Sequence, residues 1–558
     1  MSRSRWRPRA AAVREADLQS GLGRRRAAPG AVRSLSSSAA DPAADEETEL
    51  KLTCSDPAGL AALAAAPVLA TAGGRRTRRL VSTYYDTPAQ TLFRAGYTLR
   101  VREDAGCYVV TVKAKRGPGL TRFEREEKHS AATVDRASLQ RLLPADLLDE
   151  LDDAPLRPVF VTRIEREEVT LDFAGASIEV AMDRGQVIAG ERAEPVVEVE
   201  LELKRGPVAA LYQLALELSA QVALMPSAWT KSDRGFALLL GSAGLPGPEA
   251  NDAFHLRRRM SRDAALAAIF TAALALAVDH LPRAADPRDP EGVHQIRVAL
   301  RRIRVALWLV QRGGSSARAG ELSAEAGWLA NELGRAREWD VLATETLPAA
   351  AGHGLESDGF RELAERVEPH RRQAHAQAAA AVATPRAGHF LLDLGLWMSR
   401  QGWRDGAAAE RGGPDGPAGK LAQDALAAAH RKVLRRGRAF GRLDAEGRHR
   451  LRVALKTLRY TSDMFLPLVQ AAAPARRHAA RLRRLQEDLG RQNDACRSSD
   501  LLGRLADTAL SPAANRALGV LLGIQDRERS DAEAALRRDW SEFKKTFDTR
   551  GKRRKRRR

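Results

Sequence analysis

Two short segments of this chain place charged side chains on one whole face of a predicted strand. Residues 47–51 read E-T-E-L-K and residues 198–204 read E-V-E-L-E-L-K. Because successive side chains of a β-strand point to opposite faces, each segment predicts a strand with one ionic face and one largely apolar face. Carboxylates crowded on one face repel one another unless cations lie between them. Oxygen ligands of this kind suit Mg²⁺ or Mn²⁺.

The same alternation continues between these two segments, with mainly basic residues on the ionic face. Arg100 and Arg102, for example, alternate with Leu99 and Val101. One such strand is explained simply by a polar face in water. Six or more such strands favour a barrel that closes on its charged face. Their apolar faces must be covered as well, and helices packed on the outside of a barrel can cover them. A tunnel lined by cations and carboxylates matches a chain of phosphates and the metal ions that bridge them.

These segments resemble the CYTH superfamily, the triphosphate tunnel metalloenzymes. Residues 47–51 are similar to the E-x-E-x-K signature of that family, and further motifs follow in family order. They are Y-Y-D-T at 84–87, R-x-R at 100–102, K-x-K at 113–115, R-x-E-x-E at 122–126, Arg166, M-D-R-G around Asp183, E-x-E-x-E-x-K at 198–204 and T-K-S-D-R-G-F at 230–236. The five-residue motif alone is a weak signal, but the ordered set is a strong one.

The resemblance implies an eight-stranded tunnel that binds a linear triphosphate with divalent metal and hydrolyses it. It assigns catalysis to Glu47, Glu49 and Lys51. The metal ligands that it implies are Glu47, Glu49, Glu198, Glu200 and Glu202, and which two of the last three contact metal directly stays open. The basic residues that it implies for phosphate binding are Lys51, Arg100, Arg102, Lys113, Lys115, Arg166, Lys204, Lys231 and Arg234. A metal-bound water would attack the terminal phosphorus, so no side-chain nucleophile is required.

Length and composition fit a multi-domain protein of a reducing compartment. The chain has 558 residues with 44% hydrophobic content, which leaves room for about three or four domains. Cys54, Cys107 and Cys496 lack disulfide, zinc or redox spacing, so we expect a cytoplasmic location. The longest apolar candidate is Ala264 to Val278, which is shorter than the roughly 18 uncharged residues of a membrane helix, so no membrane insertion is expected.

The formal net charge of +20 is concentrated partly at the two ends of the chain. Residues 1–44 are predicted to form a disordered basic arm, and residues 548–558 a basic tail. Both can contact polyanions without specifying a partner. A solvated tail is favoured over a nuclear import signal. CYTH proteins normally begin close to the E-x-E-x-K motif, so the natural first residue stays open.

Strand patterning stops after residue 245, and Ala, Leu and Arg then recur at helical spacing. We therefore predict a tunnel domain over residues 45–245, a linker at 246–255 and an all-helical domain over 256–547. The helical part contains an internal repeat: V-H-Q-I-R-V-A-L-R-R-I-R-V at 293–305 recurs as R-H-R-L-R-V-A-L-K-T-L-R-Y at 448–460. A duplicated helical bundle explains the repeat.

Each copy of the repeat places basic residues along one stripe of a helix. A single stripe is most simply a solvated helix face. Two stripes in the same register favour an extended basic surface with an anion between them, because like charges repel otherwise. The predicted polyphosphate-binding residues are His294, Arg297, Arg301 and Arg304 in the first copy and His449, Arg452, Lys456 and Arg459 in the second.

The repeat resembles the CHAD family of conserved-histidine α-helical domains. The L-G-x-x-R-x-x-D-V-L segment from Leu333 and the L-Q-x-x-L-G-x-x-N-D segment at 485–494 are similar to its motifs. The resemblance implies two four-helix bundles around a basic cleft that binds inorganic polyphosphate. His294 and His449 are then phosphate hydrogen-bond donors, because their stripes contain no partner carboxylate or second histidine for a metal.

The predicted fold is an α+β N-terminal eight-stranded antiparallel tunnel barrel with surrounding helices, followed by an all-α domain of two four-helix bundles. The predicted function is Mg²⁺- or Mn²⁺-dependent hydrolysis of inorganic triphosphate or short polyphosphate, with polyphosphate bound by the helical domain. Alternatives are a non-catalytic polyphosphate-binding or granule-associated protein and an adenylate cyclase, although no nucleobase-recognition motif supports the latter. Nucleic acid is disfavoured because aromatic residues are 5% of the chain and none lies among the basic stripes.

Overall fold

A computed structural model describes most of the chain from Glu46 onward. The described residues are 46–54, 56–70, 72–104, 106–115, 119–151, 154–241, 245, 256–313, 316–352, 357–405, 416–469, 477–486, 501–503, 505 and 509–546. Four sequence predictions lie outside these residues: the basic arm, the linker, the basic tail and most of the motif at 485–494. The side chain of Lys115 is also outside the described part.

The N-terminal half forms a closed antiparallel barrel, as predicted. The sheet runs in the order β5-β4-β3-β2-β6-β7-β8-β1-β9, and β1 also pairs with β5 to close an eight-stranded ring, while β9 pairs only with β1. The strands are β1 Glu46–Cys54, β2 Gly73–Asp86, β3 Tyr97–Asp104, β4 Cys107–Lys115, β5 Thr121–His129, β6 Arg157–Phe173, β7 Ala176–Ala189, β8 Arg192–Arg205 and β9 Leu224–Pro226.

The ionic faces of the strands turn inward, and the apolar faces are covered by helices. In the β1–β8 pairing, Glu49 lies opposite Glu202, and the neighbouring Leu50 lies opposite Leu201. The leucines join an apolar core with residues of the outer helices, such as Leu211. The helices of this half are α1 Pro57–Ala64, α2 Pro67–Ala70, α3 Thr91–Arg94, α4 Arg136–Leu142, α5 Ala145–Leu151, α6 Ala209–Ser219 and α7 Lys231–Leu240.

An apolar cluster fills one end of the barrel interior. Phe160 and Ile164 lie on the same face of β6 as Arg166, and Val187 lies on the same face of β7 as Asp183, since these positions differ by even numbers. Phe160, Ile164 and Val187 pack with Phe236 of α7. The barrel interior is therefore a tunnel with a closed end, and α7 begins at the ionic part of that interior.

The C-terminal half is helical, as predicted. Its helices are α8 Arg262–His280, α9 Pro290–Gly313, α10 Ala317–Glu332, α11 Gly334–Val341, α12 Leu347–Ala351, α13 Ser357–Val382, α14 Pro385–Ser399, α15 Ala418–Arg436, α16 Ala445–Val469 and α17 Pro512–Thr546, and residues 477–486 are helical too. One core joins helices α8 through α14 with the N-terminal parts of α15 and α17 and the C-terminal part of α16. A second lies between α15, α16, residues 477–486 and the C-terminal part of α17.

The two halves pack directly against each other through α14. Gly388 of α14 approaches β9 so closely that a Cβ there would lie 2.2 Å from the carbonyl oxygen of Leu224. Trp229, just before α7, donates its indole N–H to the carbonyl oxygen of Asp279 in α8 at 2.9 Å. The helical half thus supports the wall of the barrel domain.

One segment exceeds the sequence expectation for apolar length. Residues Arg262–Ala285 have the length and the hydropathy, 1.9 over an 18-residue window, that a membrane span needs. In the described part of the chain, 72% of that window is buried within the protein. Packing of α8 into the larger helical core accounts for its apolar composition.

Candidate functional site

Three carboxylates converge deep in the tunnel. Asp183 of β7 and Glu198 and Glu200 of β8 place carboxylate oxygens within 4.8 Å of one another. Strand register explains the convergence, because Asp183 lies opposite Glu198 in the β7–β8 pairing and both side chains point inward. Asp183 and Glu198 are fully buried. We call these three residues the deep acidic cluster.

Three cations surround the deep acidic cluster. The ammonium nitrogen of Lys231 lies 2.6 Å from Asp183 and 3.0 Å from Glu200. Arg166 donates two hydrogen bonds to the two carboxylate oxygens of Asp183, at 2.7 and 2.6 Å. Lys51 pairs with Glu200 and lies 3.5 Å from Glu198. The charges of the deep acidic cluster are therefore balanced within the protein.

These contacts determine the protonation of the cluster. Burial alone would raise the pKa of Asp183, but the charges of Lys231 and Arg166 hold that pKa below its ordinary value. Burial likewise opposes ionisation of Glu200, yet Lys231, Lys51 and Arg166 hold its pKa well below the ordinary range. Both carboxylates are therefore ionised at neutral pH.

The deep acidic cluster fits a divalent metal ion. Its donor set consists of carboxylate oxygens, which hard cations such as Mg²⁺ and Mn²⁺ prefer. The Oε2 atom of Glu198 is buried and has no hydrogen-bond partner among the described residues, although the guanidinium of Arg234 lies 3.8 Å from it. A buried carboxylate oxygen that accepts no hydrogen bond and lies next to two further carboxylates is suited to metal coordination.

A second acidic group lies toward β5. The ammonium group of Lys113 lies 3.2 Å from Glu47 and 2.6 Å from Glu124, and Arg122 lies 2.9 Å from Glu49. Burial and a hydrogen bond with Glu47 raise the pKa of Glu124 to about 8. Burial would also raise the pKa of Glu47, but the hydrogen bond with Glu124 and the charge of Lys113 lower it to about 2. Glu47 and Glu124 therefore share one proton at neutral pH.

Side-chain exposure along β8 identifies the open end of the tunnel. It rises from 1% at Glu198 through 14% at Glu200 and 27% at Glu202 to 41% at Lys204. Lys204 pairs with Glu202 at 2.7 Å. Burial and the charge of Glu47 raise the pKa of Glu202. The mouth of the tunnel is therefore more exposed than its closed end.

The remaining predicted phosphate ligands lie farther along the interior, except Arg234, whose guanidinium lies 3.8 Å from Glu198 of the deep acidic cluster. Arg100 donates to Thr111 at 3.1 Å and to Glu126 at 3.4 Å, and Arg102 lies 3.8 Å from Glu126. Arg234 donates to the carbonyl oxygen of Pro195 at 2.8 Å. The predicted basic residues whose side chains are described are thus distributed over several subsites of one interior.

The sequence analysis missed three residues of the interior. Asp183 completes the deep acidic cluster with Glu198 and Glu200, Glu124 shares a proton with Glu47, and Arg122 pairs with Glu49. All three lie within quoted motifs and on charged strand faces, so the alternation itself was a usable signal. The metal ligands predicted from the sequence lie in two places. Glu198 and Glu200 belong to the deep acidic cluster, whereas Glu47 and Glu49 contact cations of β4 and β5.

In the helical half, α9 and α16 face each other across a basic cleft of about 520 Å³. Arg297, Arg301 and Arg304 line it from α9, and Lys456 and Tyr460 line it from α16. The other predicted residues, His294, His449, Arg452 and Arg459, are not among its lining residues. The structure therefore brings the two stripes together over part of their predicted length.

One cation–π contact lies within this cleft, and one shifted pKa belongs to a histidine of α9 outside it. Arg301 lies over the ring of Tyr460, with 5.2 Å between the guanidinium carbon and the ring centroid. Burial and the charge of Arg337 lower the pKa of His294 to about 4, so its imidazole is neutral at pH 7. A neutral imidazole can still donate one hydrogen bond, as predicted for a phosphate ligand, although His294 lies outside the cleft lining.

Comparison with known proteins defines the class of each half. A CYTH domain model matches residues 45–236, and a CHAD domain model matches residues 268–503. The chain is therefore a fusion of a CYTH domain with a CHAD domain.

Individual relatives cover only parts of the chain. An inorganic triphosphatase from Haemophilus influenzae is 31% identical over 168 residues, which are 29% of this chain and 46% of the relative. The match thus spans about half the length of that protein.

Two solved structures are similar to parts of this chain. The CHAD domain from the plant Ricinus communis shares 29% identity over 53% of this chain and 96% of its own, with a TM-score of 0.44. An adenylyl cyclase from Hippeastrum, described as having a dominant triphosphatase activity, shares 18% identity over 36% of this chain and 98% of its own, with a TM-score of 0.25.

Proposed function

We propose that the tunnel domain hydrolyses inorganic triphosphate, or a related short polyphosphate, with Mg²⁺ or Mn²⁺, and that the helical domain binds polyphosphate. The observation that carries the proposal is the deep acidic cluster, whose oxygens lie within 4.8 Å of one another inside a tunnel lined by cations. The family match to a CYTH domain and the relative from Haemophilus influenzae support it.

The residues of the tunnel supply both kinds of contact that such a substrate requires. Asp183, Glu198 and Glu200 would hold the metal. Lys51, Arg166 and Lys231 can exchange their carboxylate partners for phosphate oxygens, because ammonium and guanidinium groups pair with either anion. The closed end limits access of water, which strengthens these electrostatic interactions. A divalent metal bound to the carboxylates would supply charge neutralisation at phosphate and an activated water for in-line attack.

We also propose that the protein works in a reducing cytoplasm. Cys54 is a free thiol in the described part of the chain, which supports that location.

A phosphate-release screen tests the proposed activity. Inorganic triphosphate, pyrophosphate, long-chain polyphosphate and nucleoside triphosphates are each incubated with the full chain, with and without Mg²⁺ or Mn²⁺. We expect metal-dependent release that is fastest with triphosphate or short polyphosphate. Polyphosphate retention without release under any metal or pH would contradict hydrolysis and favour a binding protein. Formation of cyclic AMP from ATP in the absence of triphosphate hydrolysis would favour a cyclase.

A further inference from the structure

The basic stripe of α9 continues past the residues that the repeat identifies. Trp308 and Arg312 follow Arg301 by 7 and 11 positions. At 3.6 residues per turn, the three residues lie within about 40° of one another around the helix axis. The rise of the helix places Arg297 and Arg312 about 22 Å apart along that axis. The same face of α9 therefore extends from the basic cleft to the C-terminal end of the helix.

A second cavity of about 340 Å³ lies at that end of α9. Four cations line it, together with Trp308 and Ala428; these cations, here called the cation shelf, are Arg312 of α9 and Arg431, Lys432 and Arg435 of α15. Trp308 and Lys432 also line the basic cleft. The two cavities therefore share a wall, and the positive surface is continuous from one to the other.

No carboxylate whose side chain the structure describes compensates the charges of the cation shelf. None of its four cations forms an ion pair with a carboxylate in the described part of the chain. Burial and the positive charges of Arg436, Arg435 and Arg312 lower the pKa of Lys432. Cations held together in this way repel one another, and a bound polyanion would remove that repulsion.

The sequence expectation that no aromatic residue lies among the basic stripes is wrong, because Trp308 and Tyr460 line the basic cleft. Their contacts nevertheless favour an inorganic polyanion over nucleic acid. Arg312 and Lys432 lie over the ring of Trp308, at 5.5 and 5.8 Å from its centroid. Arg301 and Arg459 lie over the ring of Tyr460 at 5.2 and 5.8 Å. The rings thus hold cations by cation–π contact, so that they do not present open faces for stacking of nucleobases.

We propose that the basic cleft and the cation shelf form one continuous track for a single linear polyphosphate chain along α9. The cation shelf contacts only chains long enough to extend beyond the cleft, so that it gives the helical domain a preference for long polyphosphate. This inference rests on the proposed binding of polyphosphate in the basic cleft.

The test compares two polyphosphates, one whose extended length is shorter than the span from Arg297 to Arg312 and one that exceeds it. Binding to the full chain is measured in EDTA, so that hydrolysis does not consume the ligand. Replacement of Arg312, Arg431 and Arg435 by Gln should lower the affinity for the long chain about tenfold or more. It should change the affinity for the short chain by less than about twofold, because the cleft stays intact. The dependence of the long-chain affinity on salt should also weaken, since fewer counterions are released.

A matched control removes the same number of charges from another helix. Arg361, Arg366 and Arg372 of α13 are exposed and line neither cavity. Their replacement by Gln should leave the preference for long polyphosphate unchanged. An equal loss of long-chain binding in this control would overturn the track, because net charge alone would then explain the effect. Thermal unfolding of all variants establishes that the fold is retained.

A second variant separates failure of the track from failure of the proposed function. Replacement of Arg301 and Arg304 by Gln should weaken binding of both chain lengths. The track, but not polyphosphate binding in the cleft, would be refuted by one combination of results. In that combination the Arg301 and Arg304 variant binds polyphosphate more weakly, while the Arg312, Arg431 and Arg435 variant binds long chains as well as the parent does. Unchanged binding in both variants would refute polyphosphate binding by this surface. Preferential displacement of long polyphosphate by single-stranded DNA would overturn the choice of ligand.

Discussion

The tunnel and the helical domain both gather cations, but they balance the charge differently. In the tunnel, Lys51, Arg166 and Lys231 each contact carboxylates of the deep acidic cluster. In the helical domain, the cation shelf has no carboxylate partner in the described part of the chain. Mixed charges can hold a metal ion and phosphate together, which hydrolysis requires. Cations alone can hold only the polyanion, which suits binding without chemistry.

The pKa values of the deep acidic cluster and of the basic helical surface also differ in what shifts them. Neighbouring cations hold the pKa values of Asp183 and Glu200 below their ordinary values despite burial. In the helical domain, burial and nearby positive charge lower the pKa values of Arg301 and Lys432. The carboxylates of the deep acidic cluster are therefore compensated within the protein, whereas an anion bound at the basic cleft and the cation shelf would relieve repulsion between their cations.

Removal of divalent metal should separate the two domains most strongly. With EDTA, we expect phosphate release from triphosphate to fall to background, because the carboxylates then have no ion with which to activate water. Long polyphosphate should bind to the full chain with an affinity within about twofold of the value in Mg²⁺, since cations contact it directly. Phosphate release and polyphosphate binding are measured on the same preparation. Loss of phosphate release and of polyphosphate binding together in EDTA would show that the two activities do not belong to separate sites.

Replacement of Glu198 and Glu200 by Gln should have the next largest effect. We expect kcat/KM for triphosphate to fall about 1,000-fold or more, because two of the three proposed metal ligands lose their charge. The control is Glu167→Gln, which removes a carboxylate from a surface ion pair with Arg75 and should leave turnover near that of the parent. Circular dichroism establishes that both proteins are folded. Undiminished turnover of the double variant would place catalysis elsewhere.

The reciprocal change is replacement of Arg301 and Arg304 by Gln in the basic cleft. Polyphosphate affinity should fall about tenfold at low salt, because two phosphate contacts are lost. Triphosphate hydrolysis in the tunnel should stay within about twofold of the parent. Binding isotherms and phosphate release are compared with those of the control in which Arg361 and Arg366 become Gln. A matching fall in hydrolysis would mean that the two sites are coupled rather than independent.

The smallest expected effect concerns a buried histidine of the helical domain that pairs with an aspartate. His375 is fully buried, and its ring nitrogens lie 3.0 Å from the carbonyl oxygen of Ala284 and 2.9 Å from a carboxylate oxygen of Asp340. Burial alone would lower the pKa of His375, but the hydrogen bond and charge of Asp340 raise it above the ordinary value. The folded protein therefore favours the imidazolium form.

This shift predicts that His375 stabilises the fold at low pH. Its contribution should be fully present below the unfolded pKa of about 6.5 and should be lost as the pH rises through the higher folded pKa. The free energy of unfolding of the parent should therefore fall more than that of His375→Gln as the pH rises from 6 to 9. Denaturant unfolding at several pH values measures the difference. Equal pH dependence in the two proteins would exclude an imidazolium at this position.

Local periodicity predicted the faces of the elements well. The alternation in residues 47–51 and 198–204 correctly indicated inward acids, and Leu50 and Leu201 are buried on the opposite face. The stripe of α9 was likewise predicted, and Ile296 and Leu300 pack inward beneath it. These predictions succeeded because the direction of a side chain follows from its position along a strand or helix.

Pairing across elements was not predictable in the same way. The convergence of Asp183 with Glu198 depends on the register of β7 against β8, and the pairing of Arg122 with Glu49 depends on closure of the ring between β1 and β5. The cation shelf requires α15 to pack beside the C-terminal end of α9. None of these distances is encoded by local spacing, since each joins residues of two different strands or helices.

The amino-acid sequence by itself determined two halves of different architecture, the inward direction of the charged strand faces and the duplicated basic helices. Periodicity carries this information because each element repeats its geometry over a few residues. Only the tertiary structure decided which carboxylates lie close together, which cations pair with them and which cations form the cation shelf. Strand register, ring closure and helix packing set those distances, and electrostatic interactions depend steeply on distance and burial.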